Sequence, residues 1–138
     1  MAARRPAAFA AFIGLACCIA ASRHIAPEDY PDFYTNARVI RETDAWQKKY
    51  PELITLDEVG RSFENREIRA VRITHKVGSP AMVLMAGIHP REQPPTVCAM
   101  RFVDELLNAY GKDDEVTRLL NTRELWLIPV LNVDGKEY

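Results

Sequence analysis

The sequence has few of the residues that bind metals or cross-link a small fold. Only three of its 138 residues are histidine and only three are cysteine. Two of the cysteines, Cys17 and Cys18, lie in an apolar run near the N-terminus, so Cys98 is the only one in the rest of the chain. A lone cysteine cannot form an internal disulfide. We expect Cys98 to be a small buried hydrophobic residue on a helix.

The charge pattern excludes several classes of protein. Eighteen basic and 19 acidic residues give a net charge of −1, and the basic residues are scattered rather than clustered. No basic stripe indicates a nucleic-acid partner, and no heptad pattern indicates a coiled coil. Apolar residues make up 48% and charged residues 27% of the chain, which is typical of a folded domain. The length predicts one such domain at most.

The N-terminus has the pattern of a secretory signal peptide. Arg4 and Arg5 precede an uncharged, mostly apolar run, Ala7–Ala21, which ends in small residues. A charged start, a short apolar core and small residues at the cleavage site, in this order, are typical of a cleaved signal peptide. The run is shorter than the roughly 20 apolar residues that span a bilayer. We therefore assign residues 1–21 to a signal peptide and residues 22–138 to the mature chain.

Two interpretations of this segment give different locations. Cleavage after Ala21 predicts a secreted or periplasmic protein without membrane attachment once the signal is removed. Lipidation of Cys17, which follows the small residue Ala16, is the alternative and would anchor the chain as a lipoprotein. Leu15 is out of place in a lipoprotein signal, so we favour cleavage.

Hydrophobic periodicity predicts alternating helices and strands in the rest of the chain. A helix over 35–50 has larger side chains at helical spacing and ends at Pro51. A hairpin follows, in which Asn65 suits a left-handed turn position. Later, Pro94 and Pro95 suit the first turn of a long helix that Gly111 closes. The remaining predicted elements are strands Ile54–Val59, Ile68–Thr74, Ala81–Ile88 and Leu125–Leu131, a short helix Asp114–Leu120, and a turn Asn132–Gly135.

The order of these elements predicts the fold class. Ala81–Ile88 and Leu125–Leu131 are apolar throughout, as expected of strands buried on both faces. A helical crossover joins them, which indicates a parallel pair. With the antiparallel hairpin, this gives an α/β fold with a mixed central sheet flanked by helices. Ligands of such sheets bind beyond the carboxyl ends of the strands, where His89, Asn132 and Asp134 follow.

His89 and Glu92 are the candidate metal ligands. They stand three residues apart at a predicted strand-to-helix corner, and imidazole nitrogen and carboxylate oxygen both bind zinc. With three histidines and 19 acidic residues, chance alone supplies about 0.4 such pairs, so spacing by itself is weak evidence. The alternative is a strand-end histidine beside a carboxylate that a helix N-terminus favours.

The surrounding sequence resembles a known family. Met82–Glu92 resembles the first zinc motif of the zinc metallocarboxypeptidases of the carboxypeptidase A, B and T type. Lys49–Leu53 and Gly60–Arg66 are similar to that family's early helix end and hairpin, and Leu127–Gly135 is similar to its next strand and turn. The match covers roughly residues 30–138. It implies the N-terminal portion of the zinc carboxypeptidase fold, which is phosphorylase/hydrolase-like.

The resemblance also implies roles for single residues. His89 and Glu92 would be two of three ligands of a Zn²⁺ cofactor. Arg91 would help to hold the peptide substrate, and the alternative is a solvated surface arginine. Asn132 and Asp134 match a turn near the family's cleft, and we expect them to bond to their own backbone.

Other parts of the family's site are missing from the sequence. The third ligand, a histidine, and the glutamate that acts as general base are expected downstream of Tyr138, so no catalytic residue is assigned within this chain. Glu137 is no substitute for that glutamate, because it lies in the turn after Gly135. We interpret His24 and His75 as surface residues.

The function that the resemblance implies is hydrolysis of a C-terminal peptide bond by a zinc-activated water, with a peptide or protein C-terminus as substrate. We expect the chain itself to be an incomplete, inactive fragment. One alternative is a non-catalytic pseudoenzyme that persists as a binding module. Another is a related zinc deacylase of the desuccinylase or aspartoacylase type, which shares the His-x-x-Glu element. Arg91 and the carboxypeptidase-like hairpin argue against a deacylase.

Overall fold

A hairpin and a parallel pair of strands form the mixed sheet of the computed structural model, which describes residues 33–138. The predicted signal peptide and His24 lie outside the described residues. The elements in chain order are α1 (Asn36–Lys49), β1 (Ile54–Arg61), β2 (Glu67–Ile73), β3 (Ala81–Met85), α2 (Gln93–Ala109), α3 (Asp114–Thr122), β4 (Glu124–Ile128) and α4 (Val133–Lys136).

The sheet has the strand order β1-β2-β4-β3. Strand β2 pairs antiparallel with both β1 and β4, while β3 pairs parallel with β4. The predicted hairpin and the predicted parallel pair are both confirmed. Asn65 takes the left-handed conformation with φ of 62°, and the hairpin turn closes through the bond from the Ser62 amide to the Arg66 carbonyl, at 2.9 Å. The α/β class with a mixed sheet is therefore correct.

One face of the sheet carries the hydrophobic core. Val71 pairs with Leu127, and Ile73 pairs with Leu125, so these four side chains share a face. All four are buried, and they join one cluster with the buried side chains of α1, α2 and α3. Helix ends follow the expected chemistry, because Thr35 and Asp113 cap α1 and α3 through their side chains. The three helices thus hold the sheet from this side.

The prediction that Ala81–Ile88 is buried on both faces is wrong. Strand β3 is the edge of the sheet, with β4 on one side only. Met82, Val83 and Met85 are 57%, 56% and 53% exposed. The run is apolar on both faces, yet within residues 33–138 neither the outer edge of β3 nor the face that bears Val83 is packed. The central strand β4 is closer to the prediction, with Leu125 and Leu127 buried and Trp126 half-buried.

Three smaller expectations have mixed outcomes. Strand β4 ends at Ile128, so Pro129 marks its end as predicted. The predicted turn Asn132–Gly135 contains most of a short helix, α4. Cys98 lies on α2 but is exposed. The inward face of α2 is formed by Thr96, Ala99, Met100, Val103 and Leu107, and Cys98 falls on its other side.

Among residues 33–138, we find no helix both long enough and apolar enough to cross a bilayer.

The two edges of the sheet differ in their protection. Strand β1 carries Asp57, Glu58 and Arg61, and its register shifts between Glu58 and Gly60. Charges and bulges of this kind discourage edge-to-edge pairing. Strand β3 has no charged residue. Association of the chain with itself is therefore expected through β3 rather than through β1.

We predict that Val83→Lys reduces self-association of the full chain, because it places a charge on the uncharged edge strand. The matched control is Val59→Lys on β1, where the replaced side chain is similarly exposed, at 50%. Sedimentation velocity over a range of concentrations measures the effect. A wild-type chain that stays monomeric throughout, or an equal effect of the control, would contradict the prediction.

Candidate functional site

The loop between β3 and α2, residues 86–92, forms the corner that carries His89 and Glu92. The amide of Glu92 donates to the carbonyl of His89 at 3.1 Å, which closes a turn. Glu92 is the N-cap residue of α2. Two prolines occupy the first turn of that helix, where no amide donor is needed. The predicted strand-to-helix corner at the carboxyl end of β3 is confirmed.

The donor atoms of the corner are available to a ligand. His89, Arg91 and Glu92 are all exposed. The carboxylate of Glu92 makes no capping hydrogen bond although it stands at a helix N-terminus. Neither it nor the His89 imidazole has a hydrogen-bond or ion-pair partner within residues 33–138. One imidazole and one free carboxylate fit the donor types that zinc takes.

The described part of the chain provides two such donors but not three. Among residues 33–138, no group of three His, Cys, Asp or Glu side chains is placed to hold a metal ion. His75 is exposed, as expected, and follows β2. Strand β2 runs antiparallel to β4, whereas β3 runs parallel to β4. The carboxyl end of β2, which His75 follows, therefore lies at the opposite end of the strands from His89. His75 therefore cannot complete the corner.

Gly87 lets the corner approach the loop that follows β4. Its φ is +63°, and a Cβ there would lie 2.9 Å from the Cα of Val130 and 3.3 Å from the carbonyl oxygen of Pro129. The amide of Asn132 donates to the carbonyl of Gly87 at 3.0 Å, and the amide of Leu131 donates to the carbonyl of Ala86 at 3.0 Å. The backbone before His89 is thus bonded to the residues that follow β4.

Two further contacts hold the corner after His89. A Cβ at Gly135 would lie 2.6 Å from Cγ of Pro90, so this glycine permits close packing. The buried hydroxyl of Thr96 donates to the carbonyl of Pro129 at 3.1 Å and ties the first turn of α2 to the same loop. Sequence reasoning missed the roles of Gly87, Thr96 and Gly135. Glycines directly after a strand or in a turn were the available signal.

The two turn residues after β4 behave differently from each other. The side chain of Asn132 accepts from the amide of Gly135 at 2.9 Å, so its predicted bond to its own turn is confirmed. The same prediction for Asp134 is wrong. Its carboxylate accepts from the Ser62 hydroxyl at 2.6 Å, the Arg66 guanidinium at 2.7 Å and the amide of Glu64 at 3.1 Å. It crosses to the hairpin turn because that turn lies beside α4 in the fold.

These donors keep Asp134 ionised. The hydrogen bond from the Ser62 hydroxyl is the largest cause that lowers the pKa of Asp134. Desolvation comes next and opposes it, while the Arg66 guanidinium and the Glu64 amide lower this pKa further. A carboxyl with a lowered folded pKa contributes stability above its ordinary pKa. That contribution is lost as the pH falls through the lowered value. The contact is therefore fully formed at neutral pH.

Comparison with known proteins shows which family the chain is similar to. Residues 39–138 match the family model described as zinc carboxypeptidase. Carboxypeptidase A2 of Rattus norvegicus is 33% identical over 107 residues, which cover 78% of this chain and 26% of the relative. The inactive metallocarboxypeptidase ECM14 of Saccharomyces cerevisiae is 33% identical over 121 residues, with 80% and 28% covered. Carboxypeptidase B of Homo sapiens is 34% identical over 101 residues, with 69% and 24% covered.

Solved structures give the same likeness. The crystal structure of thrombin activatable fibrinolysis inhibitor matches with a TM-score of 0.71 and 25% identity over 83% of this chain and 30% of that one. Carboxypeptidase A from Helicoverpa armigera matches with a TM-score of 0.66 and 24% identity over 75% of this chain and 25% of that one, which is a likeness of fold alone. The chain spans about a quarter of the length of the curated relatives that it matches.

We predict that Gly87→Ala destabilises the chain more than Gly78→Ala does. Both glycines have positive φ, so alanine costs each about 1–2 kcal/mol of backbone strain. Only at Gly87 does the added Cβ also meet packed backbone, whereas Gly78 has nothing within 4 Å. Overpacking adds about 1–3 kcal/mol. Urea unfolding measures both losses, and equal losses would contradict the inferred close approach.

Proposed function

Since the chain belongs to the zinc carboxypeptidase family, we propose that residues 22–138 form the N-terminal portion of the catalytic domain of a zinc-dependent metallocarboxypeptidase. The whole protein would hydrolyse the C-terminal peptide bond of a peptide or protein. The observation that carries this proposal is the corner itself. His89 and Glu92 are exposed and lie at the carboxyl end of β3, within the region that matches the family. Their side chains have no hydrogen-bond or ion-pair partner among residues 33–138.

His89 and Glu92 would hold the metal through an imidazole nitrogen and a carboxylate oxygen. A bound zinc ion supplies Lewis-acid polarisation of the substrate carbonyl and lowers the pKa of a coordinated water. The rigid backbone on either side of His89 supports this role, because ligands must be held in place for a metal to bind tightly. We place the third ligand and the proton-accepting glutamate in the part of the relatives' length that this chain does not span.

Arg91 is proposed as a substrate-binding residue. It lies between the two ligands, is exposed, and its guanidinium has no partner among residues 33–138. A guanidinium is always charged and binds carbonyl or carboxylate oxygens of a peptide through paired donors. A peptide bound at the corner would meet this side chain.

A non-catalytic binding module is the second candidate function. One relative that is 33% identical over 80% of this chain is named an inactive metallocarboxypeptidase. Metal binding distinguishes the two candidates in this chain. A portion of a catalytic domain needs the metal at His89, while a binding module does not.

We also propose that the chain is exported, on the basis of Arg4, Arg5 and the apolar run that follows them. N-terminal sequencing of exported protein is expected to begin between Ala20 and Arg23. Met1 retained on exported or membrane-bound protein would contradict a cleaved signal.

For the metal, we predict weak zinc binding by the full chain and no measurable carboxypeptidase activity, because two ligands hold zinc less tightly than three. Zinc titration followed by the NMR signals of the His89 imidazole measures the affinity. Glu92→Ala removes one of the two proposed ligands and is expected to weaken the response at least about tenfold, since even the loss of a residue that only supports a ligand has an effect of that size. His89→Ala removes the probe, so calorimetry replaces NMR for that variant and is expected to give no saturable binding.

The matched control is His75→Ala, which removes an exposed histidine at the other end of the sheet and should leave zinc binding unchanged. Wild-type affinity in His89→Ala would overturn the ligand assignment. Hydrolysis of a peptide C-terminus by the full chain alone would overturn the placement of the remaining catalytic groups outside it.

A further inference from the structure

We propose that Asp134 is a positioning residue for the His89–Glu92 corner. Its carboxylate fixes residues 130–135, here called the 130–135 segment, to the hairpin turn, and that segment fixes the backbone on both sides of His89. The inference rests on the proposed function, because the orientation of the corner matters for catalysis only if the corner binds a metal.

The first link joins Asp134 to the hairpin turn. The carboxylate takes three donors from that turn, namely the Ser62 hydroxyl, the Arg66 guanidinium and the Glu64 amide. Hydrogen bonds to an ionised group are shorter and about twice as strong as those between neutral groups. The turn itself is rigid, because Ser62 also accepts from the amide of Arg66 through its hydroxyl, at 3.0 Å. Asp134 is thereby tied to a fixed point of the sheet.

The second link joins the 130–135 segment to the corner. Gly135 follows Asp134 directly and packs on Pro90, the residue after His89. Asn132 donates to Gly87, two residues before His89. A shift of the segment away from the hairpin turn would therefore release both contacts together and free the backbone of His89.

The segment needs such a tie because it is not stable by itself. Helix α4 has only four residues, and helices that short do not form without tertiary support. The residue that follows the segment, Lys136, is also destabilising, because its Nζ is buried without a hydrogen-bond partner within residues 33–138. Asn36 is a neutral donor, and its amide group donates to the carbonyl of Val133 at 2.8 Å and to the carboxylate of Glu137 at 2.6 Å. Among these ties, the contacts of Asp134 with Arg66 are the ones between opposite charges.

The test compares Asp134→Asn with Asp44→Asn in the full chain. Asp44 likewise pairs with an arginine, Arg69 of β2, at 2.6 Å, but it lies on α1 and has no hydrogen bond or ion pair with the 130–135 segment. Hydrogen exchange of the Asn132 and Glu92 amides reports the two sides of the corner. Asp134→Asn is expected to speed their exchange about tenfold, the factor for one lost hydrogen bond to a charged group. Asp44→Asn is expected to leave it unchanged.

A second measurement separates positioning of the ligands from a purely structural role. The midpoint of the zinc response at the His89 imidazole is expected to rise about tenfold in Asp134→Asn, the lower end of the effect of residues that support metal ligands. Ser62→Ala, which removes a single donor and is milder, is expected to change both measurements in the same direction. This variant keeps the test decisive if Asp134→Asn does not fold.

The outcomes discriminate between the two proposals. Unchanged exchange at Asn132 and Glu92 in both the Asp134 and Ser62 variants overturns the positioning role, as does an equal effect of Asp44→Asn. Faster exchange with an unchanged zinc midpoint overturns it as well. A wild-type chain whose His89 does not respond to zinc overturns the proposed function instead, and the exchange measurements still decide whether Asp134 holds the corner.

Discussion

The parallel pairing of β3 with β4 is the constraint on which the candidate site depends. Because the two strands run in the same direction, their carboxyl ends lie side by side at the same end of the sheet. The loops that follow them must therefore pass each other closely. Gly87 makes that passage possible, since any side chain there would meet the backbone of Val130. The bond from Asn132 to Gly87 then joins the loops. The backbone position of His89 follows from this passage.

The sequence was informative wherever a local pattern determines the outcome. Helical spacing of Val39, Thr43 and Trp46 predicted α1, and all three are buried in it. Asn65 predicted the left-handed turn of the hairpin from the conformation that its side chain tolerates. The helical crossover predicted the parallel pair, because two parallel neighbours cannot be joined by a short turn. The strand-to-helix corner with His89 and Glu92 followed from these elements.

The features that sequence reasoning missed depend on tertiary neighbours. The apolar run of β3 predicted burial on both faces, but a pattern cannot tell whether a strand has packed neighbours on each side, and β3 is an edge. Cys98 was expected to be buried because of its residue type, yet the rotation of α2 places it outside. The contact of Asp134 with Ser62 spans 72 residues along the chain. No local rule connects two such positions, and only the fold brings the hairpin turn beside α4.

Residues 33–138 supply all the described contacts that hold the corner, but only part of a zinc ligand set. The contacts that hold the corner, through Gly87, Thr96 and the Asp134 tie, all come from residues 33–138. The proposed metal donors in that range are His89 and Glu92, and no group of three possible ligands is present among residues 33–138. The contacts of the corner hold the backbone of His89 and Glu92, so only their side chains would have to be ordered when a metal binds, which lowers the entropic cost of binding. Folding of this part of the chain can therefore set the backbone positions of the two proposed ligands before a third donor is present.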